Sequence, residues 1–220
     1  MHRRIVRAIV LVGFASSFSV IASAAQAQFR RAAAEPNYWV GLSVGYVDGM
    51  SMTDNPSNAT WNFGSSTQIR ATFEKKLDNG VTGGIAAGFA TAPLTYTPTV
   101  FSPSLLTCSS GCQANADMTQ YMVFIRGGGG IGFHAIYNLE GGITQFGNFR
   151  EQGTNAKLAP TSAASDASFG FGGGFAYGVS AGSDIYAMET YEYILHKQLS
   201  STTTSAPRAN LLRAGIRFGF

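Results

Sequence analysis

From position 37 to the C-terminus the chain keeps returning to one pattern. Segments of roughly ten residues, in which every second side chain is large and apolar, are separated by stretches rich in turn-forming residues. Successive side chains of a β-strand point to opposite faces, so each segment presents one apolar and one polar face. Eight segments read this way: 37–47, 66–77, 81–91, 119–126, 131–146, 167–179, 184–196 and 209–220. The sixth is the plainest. Phe169, Phe171, Phe175, Tyr177 and Val179 alternate there with Ser168, Gly170, Gly172, Gly174, Ala176 and Gly178.

The connections alternate too. Those after the second, fourth and sixth segments are short: Asp78-Asn79-Gly80, the glycine run 127–130, and 180–183. Asn-Gly suits a tight hairpin because it tolerates the positive φ such turns require. Those after the first, third, fifth and seventh are longer, at 48–65, 93–118, 147–166 and 197–208. An even number of strands brings both ends of the strand-bearing region to the side of the short turns.

The N-terminus reads as an export signal. Arg3, Arg4 and Arg7 precede an apolar run over 8–22, which ends in the small-residue triplets Ala22-Ser23-Ala24 and Ala25-Gln26-Ala27. Cleavage is expected after Ala27, with Ala24 as the alternative. The expected organisation is a cleaved signal peptide at 1–27, a short periplasmic segment at 28–36, and one strand-built domain at 37–220. The whole chain carries 15 − 12 = +3 charges, and removing three arginines leaves 12 − 12 = 0. The mature chain therefore has no basic excess to attract nucleic acid.

No other apolar run is long enough for a membrane helix. Strands of about ten residues do match a tilted crossing of the hydrocarbon layer. Lipid offers no hydrogen bonds, so strands cross it only as a closed barrel. The expected fold is all-β: an eight-stranded antiparallel up-and-down transmembrane barrel with short periplasmic turns and long extracellular loops. Tyr38, Tyr46, Phe89, Tyr177 and Phe220 fall near strand ends, where interfacial aromatic girdles sit. Lys75 falls on the apolar face, close to a short turn. A secreted β-sandwich, with the apolar faces packed as its core, is the competing architecture.

Turning the apolar faces to lipid puts Arg70, Glu74, Arg126, Glu140, Arg213 and Arg217 inside. An eight-stranded barrel is just wide enough for side chains to fill. Charges buried there need partners, and Glu74 and Glu140 are the carboxylates for these arginines. Such a cluster serves either as a structural salt-bridge core or as a charge constriction in a narrow pore. Glu189 and Glu192 have opposite parity, so a regular strand turns only one of them inward. His134 reads as an interior histidine rather than a catalyst. Cys108 and Cys112, the two cysteines of the chain, fall in one long loop, and an oxidising compartment favours a disulfide between them. The glycine runs precede no helix, so they cradle no phosphate. No metal or cofactor site is expected.

The closing stretch Leu212-Arg213-Ala214-Gly215-Ile216-Arg217-Phe218-Gly219-Phe220 resembles the last strand of bacterial outer-membrane barrels. In that group a terminal Phe with apolar residues at alternate positions is read by the barrel-assembly machinery, which implies that role for Ile216, Phe218 and Phe220. With the export signal and the strand rhythm, the chain looks like the OmpA/OmpX-type small barrels. The resemblance implies an outer-membrane location and, as partners, outer-membrane lipid, the assembly machinery and an extracellular partner reached through the long loops. Lipid A deacylases of this shape use a His-x-Ser pair, but neither His134 nor His196 has Ser two residues on. The outer-membrane protease pattern of paired Asp with Asp-x-His is also missing. The expected role is structural or surface-interacting with a largely side-chain-plugged polar interior and no enzymatic activity. A narrow porin or small-solute barrel is the alternative, with a lipid-modifying enzyme behind both.

Overall fold

The computed structural model describes residues 36–54, 59–97, 112–155, 164–196 and 207–220. The expected signal peptide and most of the periplasmic segment lie outside the described residues, as do Cys108 and the central parts of the four longer connections. Among the described residues every regular element is a strand. They are β1 (Tyr38–Val47), β2 (Met50–Asp54), β3 (Ala59–Phe63), β4 (Ser66–Asp78), β5 (Val81–Thr97), β6 (Cys112–Gly127), β7 (Gly132–Glu151), β8 (Ala164–Ser180), β9 (Ser183–Leu195) and β10 (Arg208–Gly219).

Eight of them close a barrel. β1 pairs antiparallel with β4 on one side and β10 on the other, and β4 through β10 each pair with the next. Closure leaves no edge among these eight strands, so backbone donors and acceptors are met between neighbours. The segments read from sequence correspond to these strands, but several strands run further. β5 reaches Thr97 and β6 begins at Cys112, inside a stretch expected to be loop. The first long connection also holds structure. β2 and β3 form a hairpin, and β3 pairs with the outer part of β5. The polar alternation in these stretches is too weak to separate strand from loop, and pairing to β5 supplies what local pattern does not.

The short turns gather at one end of the barrel together with Pro36 and Phe220, where Phe220 and Tyr38 exchange backbone hydrogen bonds. This is the turn end, and the opposite one is the loop end. At the Asn79-Gly80 turn only Gly80 has positive φ (71°), and the register shifts between Lys76 and Asp78. The hairpin is therefore closed by a bulge rather than by two left-handed residues.

The outer wall is apolar. Phe133 is 72% exposed and Leu139 63%, and Leu42, Ile69, Ile85, Val123, Phe171 and Phe175 also stand out from the surface. A chain folding in water would bury these groups. Side chains on the other parity are buried, and they include Gln68, Arg70, Glu74, Glu140, Glu192 and Arg213. Tyr38 stacks on both Phe73 and Phe220 at the turn end, starting an aromatic rim there. Lys75 is exposed on the outer wall opposite Tyr38, one strand step from the turn end, where its stem can reach water.

Candidate functional site

Inward parity alone places the interior residues, since each strand alternates without interruption through the span. The interior is layered along the barrel axis. Nearest the turn end, Glu74 of β4 accepts hydrogen bonds from Arg126 Nη1 and Arg217 Nη1, both at 3.0 Å, and from the Thr82 hydroxyl at 2.7 Å. Arg217 also donates through Nε to Asp184 of β9 at 2.9 Å, so one guanidinium bridges two carboxylates. Aromatic faces cover the remaining charge. Arg126 lies 4.8 Å from the Tyr186 ring centroid and 5.5 Å from that of Phe124, and Arg217 lies 5.4 Å from Trp39.

The next layer centres on Glu140 of β7. It accepts from Arg70 Nη2 at 2.6 Å and from Arg213 at 3.4 Å, and Asn138 adds a third donor at 3.2 Å. Room for this layer comes from glycine. A Cβ at Gly170, opposite Glu140 on β8, would sit 3.3 Å from the Glu140 Cγ. Above it runs an amide and hydroxyl layer. Gln68 donates to Gln120 at 2.6 Å, Gln120 donates to Glu192 at 2.6 Å, and the Thr144 hydroxyl reaches Glu192 at 3.2 Å and lies 2.7 Å from that of Ser168.

Beyond this the interior turns apolar. Val47, Met50, Met52, Trp61, Phe63, Leu94, Met118, Phe146, Phe149, Ile194 and Leu211 pack as one buried cluster at the loop end. Trp61 meets Phe149 edge-on at 4.9 Å, and Phe63 meets Phe146 at 5.1 Å. The interior is thus largely polar but not uniformly so. The polar fill occupies the span and the turn end, while an apolar cap built from the β2–β3 hairpin and the long strand extensions closes the loop end. The cap is possible because β5, β6 and β7 extend past the span, so their inward positions there face protein rather than the charged layers.

Arg70, Glu74, Arg126, Glu140, Arg213 and Arg217 are all buried. Arg70, Arg213 and Glu140 meet in one layer, and Arg126, Arg217 and Glu74 in another. Sequence reasoning missed Asp184, Gln68 and Gln120 as members of the network. All three share the inward parity of their strands, which was the available signal. Glu192 is the inward member of its pair and Glu189 is exposed on the outer wall, with no bulge between them. His134 is half-buried near the turn end, with Nδ1 3.0 Å from the Gly132 carbonyl oxygen. His196 pairs with Asp166 at 2.8 Å across β8 and β9 at the loop end. Cys112 is disulfide-bonded at the start of β6. Ile216, Phe218 and Phe220 lie along the outer parity of β10, with Phe218 and Phe220 well exposed. Among the described residues no group of three or more His, Cys, Asp or Glu side chains could hold a metal ion.

No protein-family model matches the chain, and no curated protein matches it in sequence. Solved structures do resemble it. The chain is similar to Neisserial surface protein A, with a TM-score of 0.51, 15% identity, and coverage of 83% of this chain and 97% of that one. It also aligns with the outer membrane protein OprG from Pseudomonas aeruginosa (TM-score 0.49, 12% identity, 84% and 97% covered). A third is Ail, the attachment invasion locus protein of Yersinia pestis (TM-score 0.42, 14% identity, 84% and 99% covered). At 15% identity the likeness to Neisserial surface protein A speaks to fold alone. A closed barrel of eight antiparallel strands, apolar outside and charged within, gives the chain the architecture of the small bacterial outer-membrane β-barrels.

Proposed function

We propose that the chain is a non-conducting barrel of the bacterial outer membrane with a structural or surface-interaction role, its loop end facing outward. The observation that carries this reading is the closed interior. Four arginines and the carboxylates of Glu74, Glu140 and Asp184 are bound to one another across the span, and an apolar cap lies over them. An ion entering from the loop end would have to displace packed Trp, Phe and Met side chains before meeting paired charges. Glu74, Glu140 and Asp184 are each committed to arginines, which favours a structural over a catalytic reading of the interior. The partners under this proposal are outer-membrane lipid around the wall, the barrel-assembly machinery during biogenesis through Ile216, Phe218 and Phe220, and an extracellular partner at the loop end.

The test is single-channel recording in a planar bilayer with the refolded mature chain. A gel shift between unheated and boiled samples serves as the folding control. A shifted band with no current supports the proposal. Steady current that changes on Arg70→Ala or Arg213→Ala would sink it in favour of a narrow pore.

A further inference from the structure

Glu189 stands on the outer wall within the apolar belt. Its cross-strand neighbours are Gly173 of β8 and Leu212 of β10, and Gly173 lies between Phe171 and Phe175, both of which face outward. Toward the loop end, two further outward rungs follow. Asn210 sits opposite Tyr191, which stacks on Phe171 at 5.7 Å. Arg208 sits opposite Tyr193, with its guanidinium 5.4 Å from the ring centroid, and Tyr193 stacks on Phe169 at 5.1 Å and 10°. One strip across β8–β10 thus carries a guanidinium, an amide and a carboxylate on successive outward rungs, each about 7 Å from the next along the strand. Among the described residues no carboxylate pairs with Arg208 and no cation pairs with Glu189.

A bare carboxylate against hydrocarbon is costly, so its occurrence there points to a partner that supplies hydrogen-bond donors within the belt. The cation sits above it, at the edge where lipid headgroups lie, and is held in place by an aromatic stack. Beside Glu189 the wall has a gap. A Cβ at Gly173 would meet only the Ile136 carbonyl oxygen, at 3.8 Å.

We propose that this strip binds a phosphorylated, amide-linked glycolipid of the outer leaflet. The phosphate pairs with Arg208. Amide N–H and hydroxyl groups below it donate to Glu189 and the Asn210 side-chain oxygen, and an acyl chain fills the gap at Gly173. The inference rests on the outer-membrane reading with the loop end outward. A soluble anion would satisfy Arg208 and leave Glu189 bare. A second copy of the chain would need a cation at the height of Glu189. The basic side chain within the belt among the described residues is Lys75, and it lies by the turn end.

The experiment uses the refolded mature chain in detergent, titrated with lipid A, with dephosphorylated lipid A and with phosphatidylglycerol, and read by native mass spectrometry. Lipid A is expected to bind about tenfold more tightly than its dephosphorylated form, the effect of one charge-assisted contact. Arg208→Gln abolishes that difference. Glu189→Leu keeps the phosphate dependence but loses the preference for lipid A over phosphatidylglycerol, whose ester-linked chains bring no amide donor. If Arg208→Gln binds lipid A as the parent does, or if Glu189→Leu retains the full preference, the inference is overturned. A chain that shifts on heating yet prefers none of the three lipids overturns this inference alone. A chain that never shows the heat shift removes the barrel reading and the inference with it.

Discussion

At the scale of single residues, the interior charges are legible because the alternation is strict. Once the apolar parity is assigned to lipid, Arg70, Arg126, Arg213 and Arg217 have nowhere to go but inward, and each finds a carboxylate. β9 resisted the same reading because its inward positions include Tyr186, Met188 and Ile194 while its outward positions include Tyr191 and Tyr193. With apolar groups on both faces, polarity could not say which of Glu189 and Glu192 was inside. Only the register against β8 and β10 decides it. The pairing also sets an energetic expectation. Glu140 serves two arginines, so Glu140→Ala leaves two buried guanidinium groups short of a counter-charge and is expected to destabilise the barrel by about 3–5 kcal/mol. Lys75→Ala, on an exposed and unconstrained side chain, should stay within about 0.5 kcal/mol. Urea unfolding of both variants in detergent micelles, followed by tryptophan emission, measures the contrast. Equal midpoints would show that the Glu140 layer contributes nothing to stability.

At the scale of elements, the strands that cross lipid were visible and the parts beyond it were not. The β2–β3 hairpin lies in a segment whose residues, Met50, Met52, Trp61 and Phe63 among them, alternate too briefly to announce strands. What fixes them is burial under β5, β6 and β7, a tertiary cause that no local pattern carries. Trp61→Ala is accordingly expected to cost about 3–5 kcal/mol by opening a cavity in the cap, and proteolysis of the folded chain should then cut within 48–65 well before it cuts the span. Close approach between strands imposes a second constraint. A Cβ at Gly84 of β5 would meet the Phe124 ring at 2.9 Å and the Glu74 Cα at 3.1 Å, whereas one at Gly129 in the glycine turn would meet only Gly80, at 3.6 Å. Gly84→Val should lower the temperature of the gel shift markedly, and Gly129→Ala should leave it nearly unchanged. A Gly84→Val barrel as heat-stable as the parent would show that the strand spacing there is slack.

At the scale of the whole molecule, the inside-out distribution makes an optical prediction. Both tryptophans, Trp39 and Trp61, are buried inside, at 4% and 6% exposure. Replacing ordinary lipid by lipid with brominated chains should therefore dim the emission of the reconstituted barrel only slightly. Strong quenching would place an indole on the outer wall and contradict the assignment of faces. The interior also differs from one end to the other, and this bears on how the barrel is installed. In the proposed orientation the chain arrives from the side of its turns and termini, so the loop end leads through the hydrocarbon. The leading end carries a plug of Trp, Phe, Met and Leu, and the ion pairs trail behind it. The costliest cargo, four guanidinium groups with their carboxylates, thus has the shorter distance to travel. A barrel of the same charge count with its salt bridges stacked under the loops would have to drag them across the full thickness of the bilayer, and would be expected to insert far more slowly.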